Sequence, residues 1–226
     1  EKVSRIVNAF DGYAMEMALR HCEENGGEVT VLTLGDENEV RPSVVQLLAV
    51  GGKHAYIGSK VNGDESSVAQ ALSEMIQRAK DEGNTYDLIL CGKESTDEIS
   101  SQVGAILAEK MGLPLVTSVV GFEVTENGVK ARKETEEGYE FYQVPTPAVF
   151  TIAKPDYELR YPSIKSKMAA RKAQIPVMDG AAPAASVLCT GYEEPQKRGA
   201  GVKIQEEEDA DTVAKAMELL YADKIL

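Results

Sequence analysis

The chain has 226 residues, of which 43% are hydrophobic and 27% are charged, and its net charge is −13 at pH 7. That length suffices for one substantial hydrophobic core, or for a domain with an appendage. The acidic balance argues against nucleic acid as a partner, because neutralising phosphates requires a basic surface. No run approaches the roughly 20 apolar residues that span a bilayer, and no signal-peptide pattern opens the chain.

The three cysteines, Cys22, Cys91 and Cys189, are widely separated and odd in number. They form neither a C-x-x-C motif nor a zinc pattern, so the sequence predicts no metal site and no cysteine catalysis. This usage is typical of a reducing, cytoplasmic environment.

Helix and strand patterns alternate through the first half of the chain. Asn8 can cap a first helix, with Asp11 three residues on to reach back. Pro42 is tolerable only in the first turn of the second helix. The predicted strands cover 28–34, 54–57, 88–91 and 115–120, and the later helices contain 40–48, 68–79 and 103–111. Such alternation predicts an α/β fold with a parallel sheet and right-handed crossovers.

The pattern changes after residue 121. Asn127-Gly128 is a hairpin signal between two short strands, and residues 139–144 can add a further antiparallel strand before an apolar strand ends at 152. Five prolines follow Lys154, which indicates an extended arm rather than a core. A final amphipathic helix is predicted near 209–222. We therefore expect an α/β nucleotide-binding domain at 1–153 and an extended arm at 154–226.

The polar loop from Gly92 to Gln102 follows the buried strand 88–91 and precedes a helix. Its backbone N–H groups and its serine and threonine hydroxyls suit ribose and phosphate, and helix N-termini favour anions. The helix start at Asn8 to Asp11 is predicted at the same edge of the sheet. An ordinary βα loop explains the spacing about equally well. No Walker loop or hydrolase motif is present, and His21 and His54 are interpreted as structural.

Five segments, in order along nearly the whole chain, form a more specific pattern. They are Asn8–Ala14, Leu48–Ala55, Gly92–Gly104, Arg160–Ile164 and Pro195–Lys203. Together they resemble the β subunit of electron-transfer flavoproteins, in particular the bifurcating and nitrogen-fixation-type branch. The resemblance implies a Rossmann-like fold similar to adenine-nucleotide α-hydrolases, with an antiparallel hairpin extension and a C-terminal arm.

The resemblance also implies a heterodimer with an α subunit that carries a redox-active FAD in a mobile domain. The β subunit's own site holds AMP in simple electron carriers. In bifurcating members it holds a second FAD, which accepts hydride from NADH and splits the electron pair. The expected function is therefore electron transfer between dehydrogenases in a prokaryotic cytoplasm, by an electron carrier rather than a stand-alone enzyme.

Site residues follow from the resemblance by position. The segment from Arg160 to Met168 resembles the loop that docks an acyl-CoA or related dehydrogenase, with Ile164 as its apolar anchor. The docking residues are Arg160, Tyr161, Ile164 and Met168, and the arm is expected to pack on the α subunit. The cofactor contacts are Asn8, Asp11, Gly92, Ser95, Glu98, Ser101, Gln102 and Val103.

Two departures from the family pattern leave both FAD and AMP open. AMP-holding relatives typically show Asn-Gln-Thr where this chain has Ser101-Gln102-Val103, which is closer to the bifurcating members. Those members usually carry Gln-Ala-Ile-Asp-Gly-Asp where this chain has 94–99. The family's first strand, a Lys-Ile-Val-Val-Cys-Val-like segment, is not found before Glu1. A free-standing adenine-nucleotide sensor and an adenylating enzyme are the alternative functions.

Overall fold

The structure is a computed structural model that describes residues 6–61, 63–178, 184–191, 193–197 and 199–225. It contains two compact units, Glu1–Cys189 and Thr190–Leu226, which are described separately. The helices are α1 (Ala9–Asn25), α2 (Glu37–Val50), α3 (Glu65–Asp81), α4 (Val103–Met111), α5 (Ile164–Ala170) and α6 (Asp209–Ala222). The strands are β1 (Thr30–Leu34), β2 (His54–Gly58), β3 (Leu88–Gly92), β4 (Leu115–Thr125), β5 (Gly128–Thr135), β6 (Gly138–Val144), β7 (Ala148–Ile152) and β8 (Val177–Met178).

The strands of the first unit form two sheets. The three-stranded sheet has the order β1-β2-β8 and is parallel throughout. The five-stranded sheet has the order β3-β7-β4-β5-β6, in which β3, β7 and β4 are parallel and β5 and β6 form the antiparallel extension. The predicted α/β class, with a mainly parallel arrangement and a hairpin extension, is confirmed.

Two helices bridge the sheets from opposite faces. On α1, Met15 packs in one core cluster with Val31 of β1, and Met17 packs in another with Phe150 of β7. A third cluster joins Leu32 of β1 to Ile89 of β3 beneath α3. Because neighbouring residues of a strand point to opposite faces, α1 and α3 enclose β1 and β3 between them. Among the described residues, β1 pairs only with β2, and β3 pairs only with β7.

The second helix begins earlier than the sequence predicts. Asp36 accepts a hydrogen bond from the Asn38 N–H at 2.9 Å, which caps α2 and extends it to Glu37. Pro42 is consequently the sixth helical residue, so its predicted place in the first turn is wrong. Proline lacks an N–H, and the Asn38 carbonyl therefore lacks its usual partner four residues on. Pro42 is exposed, which leaves that carbonyl near water.

Ordered elements also occur in the stretch after Lys154. Ser163 accepts a hydrogen bond from the Ser166 N–H at 3.1 Å and caps α5. Further on, β8 adds to β2 in parallel, with Val177 opposite Ile57. The proline-rich sequence thus contains a short helix and an added strand that its composition did not predict.

Asp64 links residues 186–187 to the start of α3 through hydrogen bonds to its carboxylate. One carboxylate oxygen accepts from the Ser67 N–H at 2.9 Å, which caps the helix. The other accepts from the N–H groups of Ser186 at 2.8 Å and Val187 at 3.0 Å. The hydrogen bond from Ser67, together with those from Ser186 and Val187, lowers the pKa of Asp64 to about 2.

We expect Asp64→Asn to reduce stability at pH 6, with a difference from wild type that shrinks as the pH falls. A carboxylate whose pKa drops from 3.8 to about 2 on folding stabilises the folded state above its ordinary pKa. This contribution is lost as the pH falls toward 2. Urea unfolding at pH 6, 4 and 3 measures it, and a constant difference would contradict the assignment. Proteolysis within 184–188 should increase in Asp64→Asn but not in Asp36→Asn, which alters a cap residue that has no hydrogen bond to residues 184–188.

The second unit contains α6, at the bounds that the sequence predicts. None of its residues is buried. Ahead of the helix, the Thr212 hydroxyl accepts from the Glu206 N–H at 3.0 Å, and Lys215 pairs with the Glu206 carboxylate. Several apolar side chains are exposed on or just after the helix: Val213, Leu219, Tyr221 and Ile225. No helix in the described ranges is long and apolar enough to cross a membrane.

Candidate functional site

The start of α1 and the chain at the end of β3 are joined by two hydrogen bonds, and a third links Asn8 to Asp11 within the start of α1. One carboxylate oxygen of Asp11 accepts from the Gly92 N–H at 2.8 Å, and the other accepts from the Asn8 amide at 3.0 Å. The same Asn8 amide donates to the Glu94 carbonyl at 2.8 Å. Two segments that the sequence placed at one edge, more than 80 residues apart, therefore meet directly.

Asn8 does not cap α1 through its side chain, so that prediction is wrong. Its amide NH₂ is turned to Asp11 and Glu94, and no side-chain bond to the helix N–H groups forms. The amide oxygen, Oδ1, is buried and has no hydrogen-bond partner among the described residues. Leaving a buried acceptor unpaired costs about 1–3 kcal/mol, so this oxygen is available to a donor from outside the described residues.

Gly92 allows the close approach of the loop to α1. A Cβ atom added there would lie 2.8 Å from Asp11 Oδ1, 2.9 Å from Asp11 N and 2.9 Å from Phe10 Cβ. The backbone nitrogen of Asp11 is part of α1, and its Oδ1 is hydrogen-bonded to the Gly92 N–H. Neither atom can therefore move away from an added Cβ without disturbing the helix or the loop. The contact between loop and helix therefore requires glycine at this position.

Gly92→Ala should lower the free energy of unfolding by roughly 1–3 kcal/mol, because the added methyl overpacks this contact. Nucleotide retention should fall with it, since the loop is displaced from Asp11. Urea unfolding checks the first effect. Gly201→Ala is the control, because a Cβ there meets nothing within 4 Å. Equal stabilities of the two variants would contradict the close approach.

The rest of the loop is fixed by its own polar groups. Ser101 donates to the Glu94 carboxylate, and the Glu98 N–H donates to Ser95 Oγ at 3.2 Å. Ile99 and Ser101 have φ angles of 54° and 55°, a backbone conformation that is uncommon for residues other than glycine. Strain of this kind persists where the surroundings over-determine the backbone, and it is frequent at ligand sites.

The loop ends at the N-terminus of α4. Gln102 occupies the cap position with helical dihedral angles and makes no side-chain cap hydrogen bond. Val103 is the first residue of the helix, so the first N–H groups of α4 have no acceptor from this cap. Unsatisfied N–H groups and the helix dipole together favour an anion at this position.

Thr151 of β7 supports the start of α4, a contact that the sequence analysis missed. A Cβ added to Gly104 would lie 2.6 Å from Thr151 Cγ2, so α4 rests closely on the sheet there. The buried Thr151 hydroxyl accepts from the Ser118 N–H at 3.1 Å. No local signal marks Thr151 in the sequence, because it belongs to a wholly buried strand.

Among the described residues, the cysteine and histidine nearest the site, Cys91 and His21, are not activated for catalysis. Burial, with Asp11 nearby, raises the pKa of the Cys91 thiol to about 12 and keeps it neutral. Burial lowers the pKa of His21, which packs on Phe122 with ring centroids 5.0 Å apart. In the described part of the chain, no group of three or more histidine, cysteine or carboxylate side chains could hold a metal. The site can bind and orient a ligand.

The predicted docking residues differ in placement. Tyr161, Ile164 and Met168 are 96%, 80% and 58% exposed. Ile164 and Met168 lie four residues apart on α5 and so share one face. Arg160 is instead turned toward α1, where its guanidinium pairs with Glu16.

Comparisons with known proteins identify the family of the chain. The family model described as Electron transfer flavoprotein domain matches residues 1–183. The chain is similar to the electron transfer flavoprotein subunit beta of Megasphaera elsdenii, with 31% identity over 99% of this chain and 89% of the relative. It is also 34% identical to the subunit of that name from Thermoanaerobacterium thermosaccharolyticum, over 73% of this chain and 62% of the relative. The Mycobacterium leprae subunit beta is 29% identical over 100% of this chain and 89% of its own length. The chain therefore belongs to the electron transfer flavoprotein family, among its beta subunits.

Proposed function

We propose that this chain is the β subunit of a heterodimeric electron carrier and that it binds an adenine nucleotide between α1 and the loop from Gly92 to Val103. The buried, unpartnered Oδ1 of Asn8 carries the proposal. An adenine amino group or a ribose hydroxyl would supply the donor that this oxygen lacks. The N-terminus of α4 would receive the phosphate.

The other predicted contacts have defined roles in this arrangement. Asp11 holds the backbone of Gly92 in place, and Ser101 holds the side chain of Glu94. Ser95 and Glu98 fix the middle of the loop through their own hydrogen bond. These residues orient the loop, while Asn8, Gln102 and Val103 face the ligand.

The ligand is proposed to be a second FAD, with AMP as the alternative. Both contain the adenylate that the site would recognise. The loop of residues 93–102 carries three carboxylates and one lysine, which disfavours a triphosphate. Ser101-Gln102-Val103 resembles the bifurcating branch and so favours FAD, and the exposure of Ile99 and Ser101 leaves that side of the site open to a larger ligand. Bound FAD supplies one- and two-electron chemistry, which this chain's own side chains cannot.

The α subunit is the proposed partner of the second unit. A soluble helix usually buries an apolar face, yet α6 buries none of its residues. Val213 and Tyr221 are each more than 60% exposed. In a free-standing sensor this apolar face would stay exposed to water, and this favours the heterodimer over that alternative.

The proposed electron donor or acceptor is an acyl-CoA or related dehydrogenase that docks on α5. Ile164 is its apolar anchor, flanked by Tyr161 and Met168. The chain itself would transfer no electrons without the heterodimer's flavin.

A nucleotide count tests the proposal. The chain is co-expressed with its α subunit, the purified complex is denatured, and FAD and AMP are separated by chromatography. Two FADs per heterodimer support bifurcation, and one FAD with one AMP supports a simple carrier. A complex with the α-subunit FAD alone contradicts nucleotide binding by this chain. Failure to form a complex contradicts the assignment as a β subunit.

A further inference from the structure

A buried carboxylate on α1 holds the segment that leads to the docking residues. The Glu16 side chain is 3% exposed. One of its oxygens accepts from Arg160 Nε at 2.8 Å and from the Arg160 backbone N–H at 3.2 Å. The other accepts from Arg160 Nη2 at 3.1 Å and from Arg20 Nε at 2.7 Å. The carboxylate is therefore fully engaged.

The guanidinium of Arg160 binds two carboxylates of α1, those of Glu16 and Glu23. Its Nη1 and Nη2 also donate to the two carboxylate oxygens of Glu23, which lies about two turns beyond Glu16 on the same helix. Burial raises the pKa of Glu16, but hydrogen bonds from Arg160 and Arg20 outweigh that effect and lower it. Glu16 is thus an anion at neutral pH, and it holds Arg160 by paired, charge-assisted bonds.

Neighbouring residues fasten the same segment along α1. The Arg20 guanidinium lies 4.0 Å from the centre of the Tyr157 ring. Leu159 packs so closely on Gly12 that an added Cβ would lie 3.2 Å from Leu159 Cδ1. The chain immediately before Tyr161 is consequently held at several points.

Little freedom remains between this attachment and the exposed anchor. Only three residues separate Arg160 from Ile164. Pro162 has a fixed φ angle, and Ser163 caps the helix that starts at Ile164. Fixing Arg160 therefore fixes the direction in which α5 presents its exposed side chains.

We propose that Glu16 is a positioning residue for partner docking, acting through Arg160 to pre-orient Tyr161, Ile164 and Met168. This inference rests on the docking function proposed above. An apolar anchor contributes more net free energy to binding when it is already ordered, since ordering it on binding costs free energy. Arg160 serves this purpose by binding α1 rather than by contacting the partner.

The test uses the intact heterodimer and its dehydrogenase. Glu16→Gln removes the charge but keeps the shape, and we expect KM for the dehydrogenase to rise about tenfold with kcat and nucleotide content unchanged. Glu37→Gln is the matched control, because it breaks an exposed ion pair with Arg41 on α2. Glu23→Gln, at an exposed position, gives a smaller rise and does not put folding at risk.

A double-mutant cycle separates positioning from general destabilisation. Because Glu16 is proposed to orient Ile164 together with Tyr161 and Met168, the double variant Glu16→Gln/Ile164→Ala should raise KM by clearly less than the product of the two single effects. Multiplicative effects on KM would overturn the proposal, because they would show that the two residues act independently.

Hydrogen exchange provides a readout that needs no partner. Amides of residues 161–170 should exchange faster in Glu16→Gln than in wild type or Glu37→Gln. Unchanged exchange in Glu16→Gln overturns the positioning role. An unchanged KM in Ile164→Ala instead contradicts the docking function itself, so the two failures are distinguishable.

Discussion

Replacement of Asp11 by alanine is expected to empty the proposed β-subunit site of nucleotide and to lower the free energy of unfolding by about 1–3 kcal/mol. The carboxylate is the acceptor for both the Gly92 N–H and the Asn8 amide. Both hydrogen bonds are exposed, so the loss of each costs about 0.5–1.5 kcal/mol, and two are lost here. Without Asp11, the loop keeps only the Asn8–Glu94 hydrogen bond to the start of α1, and the orientation of the Asn8 amide is no longer fixed by Asp11.

Chromatographic nucleotide counts and urea unfolding of the heterodimer measure both effects. Glu24→Gln removes a charge from an exposed position of the same helix and should change neither. Asp11→Asn keeps one acceptor oxygen and should retain more nucleotide than Asp11→Ala. Full nucleotide stoichiometry in Asp11→Ala would show that the loop does not depend on α1.

Ile164→Ala is expected to raise KM for the partner dehydrogenase about 30-fold, which corresponds to about 2 kcal/mol of docking free energy. The side chain is 80% exposed, so its removal leaves the core and the folded stability intact. Nucleotide content should not change, because α5 contributes none of the hydrogen bonds described for the nucleotide loop. The expected signature is a rise in KM with kcat unaltered at saturating dehydrogenase.

Stopped-flow reduction of the heterodimer over a range of dehydrogenase concentrations separates KM from kcat. Val124→Ala is the control, since Val124 is 52% exposed on β4 and outside the proposed surface. Unaltered transfer kinetics of Ile164→Ala with the physiological dehydrogenase would remove the basis for docking through α5. Matching losses in both variants would indicate a non-specific effect.

The sequence predicted the local elements well. The spacing of Val68, Met75 and Ile76 gave α3, and the run of apolar residues at 88–91 gave β3. The predicted bounds of α6 agree with the structure. These features depend on periodicity and turn chemistry within about a dozen residues, which are visible in the sequence itself. The start of α2 was missed because Asp36, which follows Gly35, was not recognised as the helix cap, so the helix was predicted only from residue 40.

The sequence predicted that the loop after β3 and the start of α1 lie at one edge of the sheet, as the proposed nucleotide site requires. The hydrogen bonds between them were seen only in the structure. Spacing suggested that Asn8 caps α1 with help from Asp11, whereas both side chains turn to a loop more than 80 residues away. Local spacing cannot reveal such a choice, because the capping and cross-chain arrangements use the same polar atoms. The unpartnered Asn8 oxygen is visible only once the surroundings that bury it are known.

The sequence by itself determined the α/β class, the order of the elements and the family, because periodicity and ordered motifs are properties of the chain. The tertiary structure decided that the strands divide into two sheets bridged by α1 and α3, and that Arg160 binds Glu16. It also decided which polar atoms of the loop already have hydrogen-bond partners within the protein. These outcomes depend on contacts between residues far apart in the sequence, and their pairing is set by packing and by the competition of donors for buried acceptors.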